Sequence, residues 1–330
     1  MSQPQKMKNP RLLTDPHSVL DATLRDAGYM NDWAFSREAI FQVVGAVAKT
    51  GVEGIEVGYI SDKPDRPLAA CCDAELLQAL HTHIGGVTNL VVMLSLSEKD
   101  PDRLLASRRH LIDLVRIPST LEELPQALRV AESVKRHGIA CSLNLVNIST
   151  LSRAQLLRVA RETQQTGLVD IFYLADSRGA CHPDEVFEMV STVREVWDGL
   201  FGFHAHDNTG FASVNPLRAL DAGCQLIDGT VNGLGLGSGN TKLAHALSLV
   251  QQRCPDKGYQ HAPLDELRQF SVPMSAENSY LYYLVGAKNI AQLWVEPLQQ
   301  RYGKDTERRL QRIPRQAYTQ IEQVFAEIER

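Results

Sequence analysis

The repeated alternation of strand-like and helix-like segments, eight times along the sequence, constrains the fold of this chain more than any other feature. Short runs of apolar and β-branched residues, bounded by Gly, Pro, Asp or Ser, alternate with longer segments in which apolar residues recur at helical spacing. The eight predicted strands are Ser18–Leu24, Gly54–Gly58, Leu90–Leu96, Leu111–Ile117, Ile139–Val146, Val169–Leu174, Leu200–His206 and Gln225–Thr230. Repeated strand–helix units with short links predict a parallel sheet, and eight of them fit a closed TIM (β/α)8 barrel better than an open doubly wound sheet.

Helical periodicity fills the spaces between these strands and continues beyond them. The predicted barrel helices are Arg37–Thr50, Ala74–Ile84, Asp102–His110, Leu121–His137, Arg153–Thr166, Asp184–Val196, Ala212–Ala222 and a last one from about Asn240 to Cys254. After these helices the sequence shows no strand pattern. Further helical segments are predicted at Leu264–Phe270, Ala276–Gly286, Asn289–Tyr302 and Thr306–Arg330. We therefore predict an N-terminal extension at 1–17, a TIM-barrel catalytic domain at 18–254 and a small helical C-terminal appendage at 255–330.

The net charge and the distribution of apolar residues limit the kinds of molecule that the chain is expected to bind. The 330 residues carry a formal net charge of −5, which disfavours nucleic-acid binding. No apolar run reaches the roughly 18 residues that a membrane span needs, and the polar N-terminus lacks the apolar segment of a secretory signal. The six cysteines form no Cys-x-x-Cys pair and are expected to be reduced thiols. We expect a cytoplasmic protein without a nucleic-acid or membrane partner.

Two polar clusters stand where the first and seventh predicted strands end. The first is Asp21–Asp26 and the second is His204–Asn208. Active sites of TIM barrels lie at the carboxyl ends of the strands, and strands one and seven are two places apart in an eight-membered ring. Residues two apart on a strand point to the same side, so His204 and His206 can both face one metal ion. A carboxylate from Asp26 completes a facial set of ligands.

A second His-x-His pair in the same chain serves as a comparison. His81 and His83 have the same spacing but lie in a predicted helix, where residues two apart diverge by about 200°. We therefore expect them at the surface or at the helix end and predict no metal there. Mixed imidazole and carboxylate ligation at Asp26, His204 and His206 suits Mn²⁺ first, with Mg²⁺, Co²⁺, Fe²⁺ or Zn²⁺ as alternatives.

The run Asp21-Ala-Thr-Leu-Arg25-Asp26 and the run His204-Ala-His206-Asp207-Asn208-Thr-Gly210 resemble the sequence motifs of the DRE-TIM metallolyase superfamily (HMGL-like). Three further segments resemble the same family in the same order: 55–58 its second strand, 175–179 the end of its sixth strand, and 233–240 its glycine-rich loop after strand eight. The overall layout is most similar to 4-hydroxy-2-oxovalerate aldolase-like members.

The resemblance implies a role for each matching residue. It makes Asp26, His204 and His206 the metal ligands and Arg25 the cation that steadies an enolate oxygen. Glu56 either reacts or orients Arg25. Two further positions, Ser177 and Asn240, would contact substrate, and Asn240 also matches an asparagine that ligates the metal in some members. Homo-oligomers are expected for the family.

The chain departs at Tyr29 from the aldolases that it resembles. The aldolases that cleave 4-hydroxy-2-oxoacids place a histidine there as general base, and an ordinary tyrosine is a poor base near neutral pH. Either Tyr29 has a lowered pKa, or a metal-bound water takes the role, or the reaction differs. The same aldolases carry a short helical tail that contacts a dehydrogenase and supplies a catalytic tyrosine, for which the candidates here are Tyr280, Tyr282, Tyr283 and Tyr302.

Three hypotheses about function follow. The first is a metal-dependent aldolase acting on a small 2-oxo acid, such as pyruvate, and an aldehyde, with a dehydrogenase as a candidate partner. The second is an acyl-CoA-dependent Claisen-type synthase, similar to the isopropylmalate or homocitrate synthases. The third is a non-catalytic barrel that lost its activity with the change at Tyr29.

Overall fold

The fold is a closed barrel of eight parallel strands. The computed structural model describes residues 11–15, 17–63, 65–272 and 279–330. The strands are Ser18–Asp21 (β1), Gly54–Tyr59 (β2), Asn89–Met93 (β3), Leu114–Ser119 (β4), Ala140–Leu145 (β5), Ile171–Asp176 (β6), Leu200–Ala205 (β7) and Leu226–Gly229 (β8). They are hydrogen-bonded in chain order, and β1 pairs with both β2 and β8. The predicted TIM-barrel fold is therefore confirmed.

Helices surround the barrel and continue into the tail. They are Arg11–Thr14 (α1), Thr23–Ala27 (α2), Arg37–Ala48 (α3), Leu68–Cys71 (α4), Ala74–Ile84 (α5), Pro101–Ala106 (α6), Leu124–Arg136 (α7), Arg153–Thr166 (α8), Pro183–Arg194 (α9), Asn215–Asp221 (α10), Leu243–Arg253 (α11), Ser279–Ala287 (α12), Val295–Tyr302 (α13), Thr306–Arg312 (α14) and Ile321–Ile328 (α15). Side-chain caps fix several starts, because they satisfy backbone N–H groups that have no partner inside the helix. Ser36 caps α3, Asp73 caps α5, and Ser152 with Gln155 forms a capping box at α8.

The first strand is shorter than its apolar pattern predicts. The carboxylate of Asp21 accepts hydrogen bonds from the backbone N–H of Thr23 at 3.3 Å and from its hydroxyl at 2.5 Å, which turns the chain out of the strand. Helix α2 follows at once, with the N–H of Asp26 donating to the carbonyl of Ala22. The prediction that Arg25 and Asp26 lie at the end of a strand was wrong, because they lie on a helical turn just beyond it.

Other boundaries differ where turns interrupt apolar runs. Strand β4 begins at Leu114 rather than at Leu111, because Leu111 closes a turn by donating its N–H to the carbonyl of Arg108. The predicted helix Asp102–His110 is the shorter α6, and the last barrel helix, α11, begins three residues after Asn240.

The tail also differs from the helices predicted for it. The predicted helix Thr306–Arg330 is split into α14 and α15, because Ile313 is extended before Pro314. The predicted helix Leu264–Phe270 is a 3-10 helix at Ala262–Leu267. Of the predicted helix Ala276–Gly286, positions 276–278 lie outside the described residues and the rest belongs to α12.

Two main hydrophobic clusters show how the tail relates to the barrel. The cluster between the strands and the barrel helices extends past residue 254 to Tyr259 and Leu267. The tail has a cluster of its own, which includes Leu284, Leu298 and Leu310. The division at 254 and 255 stays a prediction. No helix among the described residues is long and apolar enough to cross a membrane.

A bulge in β2 brings Glu56 and Tyr59 to the same side of the strand. The register between β2 and β3 shifts between Glu56 and Gly58. In a regular strand, residues three apart point to opposite faces, but the extra residue of a bulge lets Glu56 and Tyr59 both face inward. Gly58 has φ 155°, and a Cβ at this position would lie 1.8 Å from the carbonyl oxygen of Ala69. The bulge therefore depends on a glycine.

We expect Gly58→Ala to lower the free energy of unfolding more than Gly167→Ala does. Gly167 also has a positive φ, but a Cβ added there would meet no atom within 4 Å, so this control carries backbone strain without a clash. The added clash at position 58 should cost about 1–3 kcal/mol beyond the control. Urea unfolding of the two variants measures the difference, and equal losses would contradict the structural role given to Gly58.

Candidate metal centre

Two imidazoles and one carboxylate converge at the mouth of the barrel. Asp26 lies on α2, His204 on β7 and His206 directly after β7, and each is at least 95% buried. The Nε2 atoms of the two histidines are 3.4 Å apart, and each lies 3.8 Å from Oδ2 of Asp26. One ligand atom from each of the three side chains lies within 4.8 Å of the others. The structure thus brings together the three residues predicted as metal ligands.

The surroundings of both histidines direct their Nε2 atoms toward the centre. Nδ1 of His204 lies 3.0 Å from Oδ2 of Asp228, and Nδ1 of His206 lies 3.3 Å from the carbonyl oxygen of Leu236. The Asp228 carboxylate holds the proton of His204 on Nδ1 and leaves the lone pair of its Nε2 free for a metal ion, and the Leu236 carbonyl favours the same tautomer of His206. The donor set of two imidazole nitrogens and one carboxylate oxygen fits a divalent transition metal.

The protonation states also suit metal binding. Burial alone would raise the pKa of Asp26, but the Arg25 guanidinium and the two imidazoles outweigh this effect and hold the pKa well below its usual range. Burial lowers the pKa of His206 to about 4. At neutral pH the carboxylate is therefore ionised and the His206 imidazole is neutral, which are the forms that bind a metal.

Asn240 lies directly behind the candidate centre. Its Nδ2 donates a hydrogen bond to Oδ2 of Asp26 and another, at 3.2 Å, to the carbonyl of Leu234. Its Oδ1 is buried and has no hydrogen-bond partner among the described residues. A Cβ at Gly235 would overlap both Asn240 and Asp26, so the glycine-rich loop can close on the site because it lacks a side chain there.

A chain of buried charges links Arg25 to the metal-ligand candidates. Arg25 donates from Nη1 to Asp26 at 2.6 Å and from Nε to Oε2 of Glu56 at 2.8 Å. The same Glu56 oxygen accepts a hydrogen bond from Arg116, which also donates to Asp228 at 2.7 Å. Glu56 and Arg116 are fully buried. These contacts favour the orienting role for Glu56 over a reactive one.

Tyr29 lies at the mouth of the barrel with its hydroxyl 2.6 Å from that of Tyr59. The residue as a whole is 38% exposed. Desolvation raises the pKa of Tyr29, although Arg25 and the Tyr59 hydroxyl act in the opposite direction. These surroundings do not provide the lowered pKa considered for Tyr29 from the sequence, and they favour the protonated phenol at neutral pH.

One cavity of about 490 Å³ contains these groups. The predicted site residues in its wall are Arg25, Asp26, Tyr29, Ser177, His204 and His206. Ser177 lies at the end of β6, where its Oγ accepts a hydrogen bond from the N–H of Asn147. Glu56 and Asn240 do not line the cavity but hold residues that do.

The tail closes one side of the cavity with residues other than the predicted tyrosines. Gln292 and Leu293 line it, and Gln292 accepts a hydrogen bond from Asn208 at 2.9 Å while its Nε2 lies 3.3 Å from Nδ1 of His206. Among the residues that the structure describes, none of the four candidate tyrosines of the tail lines the cavity; these are Tyr280, Tyr282, Tyr283 and Tyr302.

Four residues of this region were missed from the sequence. Arg116 and Asp228 were detectable, because each is a charged residue inside an apolar strand of a predicted barrel. Tyr59 was detectable because it directly follows the segment predicted as the second strand. Gln292 carries no local signal, since its position depends on how the tail folds back.

A closed parallel barrel with a buried carboxylate–imidazole cluster at its carboxyl-terminal mouth defines the chain as a TIM-barrel protein of the enzyme type. Residues 17–270 match the family model described as HMGL-like. The chain therefore belongs to the HMGL-like family, the DRE-TIM group that its sequence motifs predict.

Curated relatives and a solved structure agree with this membership. The oxaloacetate decarboxylase of Mycobacterium tuberculosis is 27% identical over 249 residues, which cover 73% of each protein. The 4-hydroxy-2-oxovalerate aldolase of Geobacillus genomosp. 3 is 31% identical over 245 residues, which cover 68% of this chain and 67% of that protein. The N-terminal domain of a proposed aldolase from Bacteroides vulgatus superimposes with a TM-score of 0.75 at 25% identity and covers 85% of this chain and 95% of that one.

We expect the isolated chain to bind Mn²⁺, and His206→Ala to abolish this binding. Asp228→Asn should weaken binding about 10–100-fold, because it loosens the orientation of His204 without removing a ligand. Equilibrium dialysis of metal-stripped protein measures both, with circular dichroism to check that each variant folds.

The control is His83→Ala, which removes a histidine of the other His-x-His pair, on α5. This variant should bind Mn²⁺ as the wild type does. Binding that persists in His206→Ala but is lost in His83→Ala would contradict the assignment of the site.

Proposed function

We propose that the chain is a divalent-metal-dependent lyase that makes or breaks a carbon–carbon bond beside a 2-oxo acid, with an aldolase reaction on pyruvate as the first candidate. The observation that carries the proposal is the position of Asp26. One of its oxygens accepts a hydrogen bond from Arg25, and the other faces both imidazoles. A fixed guanidinium and a candidate cation site therefore meet at one end of the cavity.

The names of the relatives support this chemistry. A 4-hydroxy-2-oxovalerate aldolase and an oxaloacetate decarboxylase both break the bond between C3 and C4 of a 2-oxo acid. In either case the electrons of the broken bond remain on C3, and the product at that stage is the enolate of pyruvate. The shared requirement is stabilisation of negative charge on the enolate oxygen, which preorganised positive groups supply.

Each site residue has a part in this proposal. A divalent cation at Asp26, His204 and His206, with Mn²⁺ proposed before Mg²⁺, Co²⁺ or Zn²⁺, would bind the oxygens of a 2-oxo acid and stabilise enolate charge. Arg25 is held by Glu56 and Asp26 through Nε and Nη1, so its guanidinium plane is fixed before substrate arrives.

Ser177 is proposed to contact substrate directly, and Asn240 is proposed to act on it through Asp26. The Ser177 hydroxyl is in the cavity wall and can hydrogen-bond a substrate oxygen. Asn240 lies outside the cavity wall and positions Asp26 through Nδ2.

Decarboxylation of an oxaloacetate-like acid is the second candidate. Cleavage of a 4-hydroxy-2-oxo acid requires a base that takes the proton of the 4-hydroxyl group, whereas loss of CO₂ requires none. The raised pKa of Tyr29, caused by desolvation, makes this residue a poor base at neutral pH. This observation favours the decarboxylase hypothesis. Parallel assays of carbon dioxide release from oxaloacetate and of aldehyde release from a 4-hydroxy-2-oxo acid distinguish decarboxylase from aldolase.

Cytoplasmic location, homo-oligomerisation and a dehydrogenase partner are further proposals that rest on the family resemblance. Size-exclusion chromatography with light scattering tests the oligomer. Co-purification with an aldehyde dehydrogenase encoded by the same organism tests the partner.

Deuterium exchange into the methyl group of pyruvate tests the proposed function directly. Enolate formation exchanges the methyl protons with solvent without requiring the correct aldehyde, so the assay does not depend on the unknown second substrate. We expect exchange by the Mn²⁺-loaded protein in D₂O, followed by proton NMR. Absence of exchange with every metal that binds would overturn the proposal.

We expect Arg25→Ala to slow this exchange by about 10²–10³, by comparison with the removal of one group that stabilises an oxyanion. The maximal rate of exchange should fall while the affinity of the protein for pyruvate stays the same, because the guanidinium acts on charge that develops in the transition state. Arg129→Ala, which removes an exposed arginine of α7, is the control and should leave the rate unchanged. An unchanged rate in Arg25→Ala would remove this role.

A further inference from the structure

Two tyrosine hydroxyls are in direct contact beside the candidate metal centre. Oη of Tyr29 and Oη of Tyr59 are 2.6 Å apart, which is a short hydrogen bond for two neutral phenols. Both side chains line the same cavity as Arg25 and Asp26. Tyr59 reaches this position through the bulge in β2, and neither the family resemblance nor the ligand geometry gives it a role.

A strained turn holds an indole against both phenols. The Trp33 ring centroid lies 4.7 Å from that of Tyr29 and 5.6 Å from that of Tyr59, in edge-on contacts. Asp32 and Trp33 have φ values of 53° and 59°, a left-handed conformation that costs non-glycine residues about 1–3 kcal/mol each. Two successive residues in this conformation are maintained only where the surrounding structure requires them.

The turn also ties the aromatic group to the catalytic arginine. Nε1 of Trp33 donates a hydrogen bond to the backbone carbonyl of Arg25 at 3.1 Å. A Cβ at Gly28 would lie 2.1 Å from the indole, so the close approach of Trp33 depends on glycine at this position. The Tyr29–Tyr59 pair is therefore built into the same local structure as Arg25.

A cleavage or decarboxylation that leaves a pyruvate enolate needs a proton at C3 to finish. Resting on the proposed function, we propose that Tyr29 is the catalytic residue that delivers this proton and that Tyr59 is its positioning residue. The O–H bond of Tyr29 breaks and a C3–H bond forms with the electron pair of the enolate double bond, while the C2 carbonyl re-forms. Tyr59 donates a hydrogen bond to the Tyr29 oxygen and stabilises the phenolate that forms on Tyr29. This phenolate then regains a proton from water on the exposed side of Tyr29.

The charges around Tyr29 agree with this role. Desolvation raises its pKa, Arg25 and the Tyr59 hydrogen bond lower it, and Asp26 and Glu56 raise it. The phenol is therefore protonated and ready to donate at neutral pH. In the reverse direction, in which a methyl proton is removed, the phenolate is required, so exchange should rise with pH until Tyr29 is ionised.

The test uses Tyr29→Phe, Tyr59→Phe and the double variant in the pyruvate exchange assay, with the Mn²⁺-loaded full chain. We expect Tyr29→Phe to lose about 10²-fold or more in rate, the usual contribution of a positioned proton donor. Tyr59→Phe should lose about 10-fold, which corresponds to one hydrogen bond to a charged oxygen. The double variant should match Tyr29→Phe, because Tyr59 acts only through Tyr29.

The pH profile distinguishes positioning from simple packing. Without the Tyr59 hydroxyl the phenolate loses a donor, so the rise of the exchange rate should move to higher pH in Tyr59→Phe. Tyr283→Phe, which alters an exposed tyrosine of α12, is the matched control and should change neither rate nor profile.

The outcomes separate this inference from the function on which it rests. If the wild-type chain exchanges pyruvate protons but Tyr29→Phe does so at the same rate, the tyrosine pair is overturned and the proposed function stands. If the losses in Tyr29→Phe and Tyr59→Phe multiply in the double variant, or if the Tyr59→Phe profile does not move, the positioning role of Tyr59 is overturned. Absence of exchange in the wild type overturns both.

Discussion

The arrangement of the site depends on one buried arginine in the middle of the barrel. Arg116 is fully buried on β4 and bonds to Glu56 on β2 and to Asp228 on β8. Its guanidinium also lies 4.3 Å from the centre of the Tyr173 ring. A buried charge is tolerated only with partners of opposite sign and satisfied hydrogen bonds, so these groups fix one another's positions.

Each of the two carboxylates that pair with Arg116 also orients a side chain of the site. Glu56 orients Arg25, and Asp228 orients His204. The Arg25 guanidinium and an imidazole of the candidate metal centre are thus held by the same buried cation. Burial, which penalises isolated charge, here couples the two electrostatic components of the site into one network.

The sequence predicts the barrel and the approach of its three candidate ligands, because strand periodicity and strand order determine both. Strand spacing places His204 and His206 on one side, and the ring order brings Asp26 across from them. The periodicity could not show that Asp21 bends the chain into α2, since an apolar run of this length is equally compatible with strand and helix. It also could not show the β2 bulge, which decides where Tyr59 points, or the return of the tail, which places Gln292 beside His206.

The position of the tail has a consequence for how such a chain can diversify. All three candidate metal ligands and the buried ion network belong to the barrel, whereas Ala291 and Leu293 of the tail form part of the cavity wall. Substitutions at these two tail positions change the shape of the cavity without removing a buried charge. The fold therefore separates a part of the site that is fixed by buried ion pairs from a part of the wall whose side chains can change without disturbing that network.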